Sequence, residues 1–389
     1  MKLRRLSLFA SGIAIVALSA VIAPSAPAAI KNAQVDAYLK SAVASKVLAN
    51  PGVLLLDPVT GETIFEKDAD SLRMPASLLK LFTAASILNY VQPDFRFTTE
   101  ILTGAEANTL MISGSLDPWM TRNDTVSKKF NRVSLPAIYR AALKKLDAEN
   151  GAPIKTLQIQ YSDIFSDDLA FIKSQFQARH IKVTTLKVTN EDTHLFAKEL
   201  IAKYQSPTLQ EIVDWMLLWS NNTLGDRLGL YAAMKAGYGY SPKGIQQTYL
   251  KTLDELNIPT TGLNAVDGSG LSRSNRVSTR MLAQLLLKTY KTEKYRFIYE
   301  GLPVGGETGT LSKRFIKSAP KAIGLARAKT GTLTGVVSLA GYVQGGDHEY
   351  IFVVVADKVA PYPSASKAAR DAIDKIIASF AKPISRAAL

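Results

Sequence analysis

Three short segments stand in order along this chain: Ser77-Leu78-Leu79-Lys80, Ser220-Asn221-Asn222 and Lys329-Thr330-Gly331. If they act together, the fold must carry positions 77, 220 and 329 to one place, which rules out most simple linear arrangements. Singly each is weak. Ser318 to Lys321 and Ser364 to Lys367 repeat the first pattern, and Glu307-Thr308-Gly309-Thr310-Leu311 nearly copies Lys329-Thr330-Gly331-Thr332-Leu333. Isolated, such segments read as a solvated helix face, an interhelical loop or a strand turn. Order and local context separate them.

Residues 73–91 read as a helix start followed by a long apolar helix. Pro75 suits the first helical position, where its missing N–H is not needed. Leu78, Leu79, Leu81, Phe82, Ala85, Ile87 and Leu88 then recur at helical spacing, with no second proline until Pro93. Ser77 falls in the first turn, where unpaired N–H groups and the helix dipole favour developing negative charge. Lys80 shares its face, about one turn along. A serine hydroxyl is a poor nucleophile until a base takes its proton. A lysine serves as that base only when burial or a second cation lowers its pKa. The apolar helix around Lys80, with Lys329 as second cation, meets both conditions. Ser318, followed by Ala-Pro, and Ser364, at the start of a polar Lys/Arg-rich helix, do not.

Ser220-Asn221-Asn222 lies between helix-like runs at 209–219 and 224–233, so it reads as a turn projecting short polar side chains. Beside the other motifs, Ser220 becomes a proton relay to a leaving group. Asn222 becomes an amide able to donate to and accept from a peptide bond. Lys329-Thr330-Gly331 opens the most strand-rich part of the chain. Residues 323–330, 335–343 and 350–356 read as strands, with Gln344-Gly345-Gly346-Asp347 the hairpin turn between the last two. A strand edge there can pair with an extended peptide. Gly331, having no side chain, lets that peptide approach, while Thr330 and Lys329 can hold a terminal carboxylate.

With one change, these are the S-x-x-K, S-D-N and K-T-G motifs of penicillin-binding proteins and class A β-lactamases. Met74-Pro75-Ala76-Ser77, Asp267-Gly268-Ser269-Gly270-Leu271-Ser272-Arg273, Gly309-Thr310-Leu311 and, less closely, Gly114-Ser115-Leu116-Asp117-Pro118 extend the likeness over residues 48–380. The chain resembles the low-molecular-mass penicillin-binding proteins of class C type, D-alanyl-D-alanine carboxypeptidases and endopeptidases with a domain inserted after the nucleophile helix. The resemblance implies Ser77 as nucleophile, Lys80 as base, Ser220 and Asn222 as second motif, and Lys329, Thr330 and Gly331 as third. The backbone N–H groups of Ser77 and Thr332 would form the oxyanion hole. Peptidoglycan peptides are the implied substrates and β-lactams the implied covalent inhibitors. Two departures stand out: Asn221 replaces Asp, and the stretch between Ser77 and Ser220 is short, so the inserted part is reduced. A β-lactamase would need a deacylating glutamate, but Glu255-Leu256-Asn257 lacks the E-x-x-x-N spacing. A catalytically silent wall-binding protein would show a broken motif, and none of the acylation residues is missing.

Lys2, Arg4 and Arg5, an apolar run over 6–22 and the small residues around Ala26-Pro27-Ala28 have the pattern of a signal peptide over residues 1–28, hence export to the periplasm or cell wall. The net charge of +14 suits an anionic envelope surface, wall or membrane, to which the protein could bind peripherally. Export removes nucleic acid as a partner. Without cysteine, the core alone must supply stability. His180, His194 and His348 match no metal-ligand spacing, and no cofactor is implied. The expected fold is α+β. A β-lactamase/transpeptidase-like domain (29–93 and 206–389) has an antiparallel sheet, flanking terminal helices (34–49 and 364–380) and a helical lobe over 209–299. A smaller mixed domain (94–205) is inserted, with strands near 96–102, 110–112 and 157–160. Asp163 is a candidate contact there for the cross-linking residue.

Overall fold

The computed structural model describes residues 33–383, so the expected signal peptide lies outside the described residues. Two five-stranded sheets organise the chain. The first takes Gly52–Leu56 and Thr63–Lys67 from the start of the chain and Ala326–Leu333, Val336–Gly345 and His348–Ala356 from its end. All its neighbours are antiparallel, and the closing pair is non-local: Gly52 lies opposite Val355 and Leu56 opposite Ile351. The expected hairpin turn forms at Gly346-Asp347, between Gly345 and His348, with Gly346 at a φ of 74°. Ala326–Leu333 is left at the sheet's edge.

Strand alternation feeds two cores. Leu54, Leu56, Val353 and Val355 face Phe82, Ile87 and the helices of residues 209–300. Val53, Leu55, Phe352 and Val354 face Leu39 and Val43 of one terminal helix and Ile373, Ile376 and Ile377 of the other. Burial on both faces explains why these strands read as continuous apolar runs. The first helix, Ala33–Val43, is shorter than its pattern implies, because the chain turns into the sheet through Ala49 and Asn50, at φ 49° and 60°.

The second sheet orders Lys182–Lys187, Thr156–Ser162, Thr109–Ser113, Arg96–Gly104 and Ala197–Thr208. Its first three strands are parallel, and Arg96–Gly104 is antiparallel to both its neighbours. Its own core includes Ile101, Ile112, Ile138, Ile159, Ile172 and Phe176. The helix Asn222–Lys235 is tied to this part by Arg227, buried against Asp168 at 2.8 Å and over the Phe165 ring.

Just ahead of Ser77, Arg73 is buried and donates to the Asn50 carbonyl at 2.9 Å and to Asp357 at 3.1 Å. The other Asp357 oxygen accepts the Met74 N–H at 3.1 Å. This carboxylate therefore joins the end of the central strand to the approach of the nucleophile. Removing Asp357 takes the nearer of two carboxylates from buried Arg73, leaving Asp68 at 3.6 Å, and also strands the Met74 N–H. Asp357→Ala is expected to cost on the order of 3 kcal/mol, read as a lower urea midpoint with an unchanged slope.

Candidate active site

Ser77 lies on a 3₁₀ turn, Ala76–Leu79, that runs into the α-helix Lys80–Tyr90. The start is tighter than a plain α-helical first turn. Ala76 takes a left-handed φ of 50°, a conformation that a residue with a Cβ holds only when its surroundings impose it. Those surroundings are close. The Pro75 carbonyl accepts from Ser338 Oγ at 3.0 Å, and a Cβ on Gly270 would lie 1.9 Å from the Ala76 carbonyl oxygen.

Lys80 is fully buried, and its three ammonium donors have three acceptors. They are Ser77 Oγ at 2.9 Å, Asn222 Oδ1 at 2.8 Å and the Ser269 carbonyl at 2.6 Å. Burial lowers its pKa to about 8, against the opposing pull of Asp226 and Asp267. This arrangement suits a base. The neutral amine keeps two donors for Asn222 and Ser269 and turns its lone pair to the Ser77 hydroxyl.

Lys329 is also fully buried and donates to Ser220 Oγ at 2.8 Å and to the Thr330 carbonyl at 2.9 Å. Burial, then the charge of Lys80, pushes its pKa well below the ordinary lysine value. Burial is the largest cause at both lysines, and because charge repulsion is mutual, each ammonium also disfavours the other. Hydrogen bonds join Ser77, Lys80 and Asn222 in one set and Ser220 and Lys329 in another, and the charge of Lys80 acting on Lys329 shows that the two sets are neighbours. Thr330 is half-buried and Thr332 exposed on the edge strand beside them.

Gly331 has a packing reason besides the one its sequence suggests. A Cβ there would lie 2.1 Å from Ser338 Oγ and 2.8 Å from the Pro75 carbonyl. The space is filled by the protein itself, and glycine is what lets the edge strand sit against the nucleophile turn. Asn222 is also more restricted than expected: its oxygen is committed to Lys80, leaving the amide N–H₂ for an incoming carbonyl.

The sequence reading had Asp267, Ser269 and Thr310 only as parts of segments that carry the likeness, without a role, and missed Asp226 altogether. Asp226 accepts the N–H groups of Gly268 and Ser269 at 3.1 and 2.8 Å, and Asp267 those of Gly270 and Ser272 at 2.7 and 2.6 Å. Together they hold the Ser269 carbonyl on Lys80. The near-copy of the third motif has a use too, since Thr330 Oγ1 donates to Thr310 Oγ1 at 3.1 Å. The rival serines are elsewhere: Ser318 donates to Asp374, and Ser364 is exposed at the start of Pro363–Ala378. Glu255 bonds Asn89 at the far end of the nucleophile helix, about 14 Å of helix beyond Lys80. Asp163 lies by Tyr231, Met234 and Tyr240, toward the end of Asn222–Lys235 remote from Asn222, so it does not reach this group.

Asn221 caps the helix Asn222–Lys235, its side chain accepting the Leu224 N–H at 2.9 Å. Asp and Asn serve equally as such caps, which accounts for the departure at this position. Asn221→Asp should preserve both melting temperature and acylation rate. Asn221→Ala should lose about 0.5–2 kcal/mol of stability, measured by thermal unfolding.

The D-Ala-D-Ala carboxypeptidase 3 (S13) family model matches residues 31–149 and 148–380. The chain is 26% identical over 379 residues to carboxypeptidase DacB of Mycolicibacterium smegmatis, covering 85% of this chain and 81% of that protein. Among solved structures it is similar to penicillin binding protein 4 (dacB) of Haemophilus influenzae. That match has a TM-score of 0.64 and 17% identity and covers 83% of this chain and 95% of the other. It is also similar to Bd3459, a predatory peptidoglycan endopeptidase of Bdellovibrio bacteriovorus, with a TM-score of 0.59, 16% identity, and coverage of 86% and 94%. At these identities the structural matches speak for the fold, an α+β transpeptidase-like one. The family match spans nearly all of the described chain, and on it the chain belongs to the D-Ala-D-Ala carboxypeptidase 3 (S13) family of serine peptidases.

Proposed function

We propose that Ser77, Lys80, Ser220, Asn222 and Lys329 are the catalytic residues of a serine DD-peptidase acting on peptidoglycan peptides, with Thr330, Gly331 and Thr332 along the substrate. The observation that carries this reading is the contact of a buried, low-pKa Lys80 with Ser77 Oγ at 2.9 Å. Lys80 takes the hydroxyl proton as Ser77 attacks the carbonyl of the penultimate D-alanine. The oxyanion is met by the backbone N–H groups of Ser77 and Thr332. The C–N bond then breaks, Ser220 passes a proton to the departing amine, and an ester remains on Ser77 for water to hydrolyse. A β-lactam would stop at the equivalent ester. No metal or cofactor enters this scheme. Export directed by residues 1–28, residues 94–205 as an inserted domain and peripheral contact with an anionic wall or membrane surface belong to the same reading.

Thr330 and Lys329 hold the carboxylate of the leaving residue. A charge-assisted contact is worth about 1.5–3 kcal/mol, so a peptide ending in D-Ala-D-Ala should be cut about 10- to 150-fold faster than its C-terminal amide. Thr330→Val should narrow the gap. Release of D-alanine, together with a penicillin adduct on Ser77 that disappears in Ser77→Ala, checks the assignment. Equal rates on acid and amide would contradict carboxylate recognition, and an adduct that survives Ser77→Ala would contradict the nucleophile.

A further inference from the structure

Thr310, Thr330 and Thr332 line one side of a cleft of 680 Å³ that adjoins the catalytic group through the edge strand carrying Lys329. Its other walls are residues 313–318 and the C-terminal helix Pro363–Ala378, which bring five cations to it: Lys313, Arg314, Lys317, Lys367 and Arg370. Two of these are neutralised locally. Arg314 pairs with buried Asp374, and Lys367 with Asp371 at 2.5 Å. Among the described residues no carboxylate pairs with Lys313, Lys317 or Arg370, so the cleft has a net positive charge that the protein itself does not balance.

Resting on the DD-peptidase reading, we propose that this cleft holds the leaving half of a cross-linked substrate, an acidic second stem peptide, and favours endopeptidase cleavage. Three observations carry the assignment. The cleft shares its threonine wall with the residues that hold the leaving residue's carboxylate, so whatever is attached to that residue continues into it. Its volume is that of a site for a whole small ligand, of which a lone D-alanine would fill only a small part. Its uncompensated cations match a stem peptide bearing several free carboxylates. Acylation of Ser77 breaks the cross-link C–N bond, and the second stem departs with its amine, reprotonated through Ser220.

The test compares a muropeptide monomer ending in D-Ala-D-Ala with a D-Ala cross-linked dimer, using wild type and the triple variant Lys313→Glu, Lys317→Glu, Arg370→Glu. Penicillin acylation of Ser77 checks that the variant is folded. The variant should lose on the order of tenfold in kcat/KM on the dimer, through KM, while monomer cleavage and acylation change less than about twofold. In the wild type, raising salt from about 0.05 to about 0.5 M should slow dimer cleavage selectively. Equal losses on both substrates, or unchanged dimer cleavage, would overturn the proposal. So would lost binding of polyphosphate with dimer cleavage intact, which would reassign the cleft to an anionic polymer. A wild type that cuts monomers but spares dimers overturns it and leaves the DD-peptidase reading standing, whereas one that cuts neither overturns both.

Discussion

Two lysine ammonium groups lie fully buried within one small volume, and the local structure is arranged around keeping them there. Burying a charge without partners costs several kcal/mol, and two like charges repel as well. Lys80 is tolerated because its own turn and two segments remote in sequence each supply an acceptor: Ser77, Asn222 and the Ser269 carbonyl. None of them can shift without stranding a donor. The loop that carries Ser269 is in turn held by Asp226 and Asp267, whose nearby negative charge offsets part of the cost. The nucleophile and the second motif are therefore fixed relative to one another before any substrate arrives.

Close packing of backbone completes the enclosure. Cβ atoms on Gly225, Gly268, Gly270 and Gly331 would all lie within about 3 Å of neighbouring backbone or side-chain atoms. The helix Asn222–Lys235, the 267–272 loop, the nucleophile turn and the edge strand meet here with almost no side chain between them. Water is excluded from Lys80 and Lys329, which depresses both pKa values, while Ser77 and Ser220 stay half-buried, within reach of a ligand. The unpaired cations of the neighbouring cleft extend the same positive field outward.

How much of this was legible in the sequence depended on whether the cause was local. The hairpin turn at Gly346-Asp347, the buried strands on either side of it and the helix after Ser77 follow from turn chemistry and apolar spacing. The order of the motifs, together with the chain's resemblance to a known peptidase group, pointed to the convergence of Ser77, Ser220 and Lys329. The 12-residue strand Ala197–Thr208 was missed because the residues it packs on the core, Ile201 and Tyr204, break the period-two alternation, Lys198, Glu199, Lys203 and Gln205 dilute it, and its pairing with Arg96–Gly104 shifts register. The parallel pairs of the second sheet, the roles of Asp226, Ser269 and Thr310, and the packing of Gly331 against Ser338 and the Pro75 carbonyl are tertiary facts. Each is fixed by what lies across the interface, and neighbours along the chain carry no trace of it. Asn221 is an intermediate case: its exchange for Asp was visible, but its neutrality became intelligible only once the helix that it caps was seen.

The central claim is that enclosure makes Lys80 a base for Ser77 near neutral pH. It is tested most directly by the rate of penicillin acylation of Ser77 across pH, followed by intact-protein mass spectrometry, in wild type and Lys80→Arg. A base must be uncharged to accept a proton, so the wild-type rate should rise about tenfold per pH unit below the Lys80 pKa and level off above about 8. Arginine stays protonated throughout, so the variant should keep its fold and lose on the order of 10²–10⁴-fold in rate with little pH dependence. A wild-type rate that is flat across this range, or an arginine variant that acylates at a near-native rate, would show that another group takes the proton.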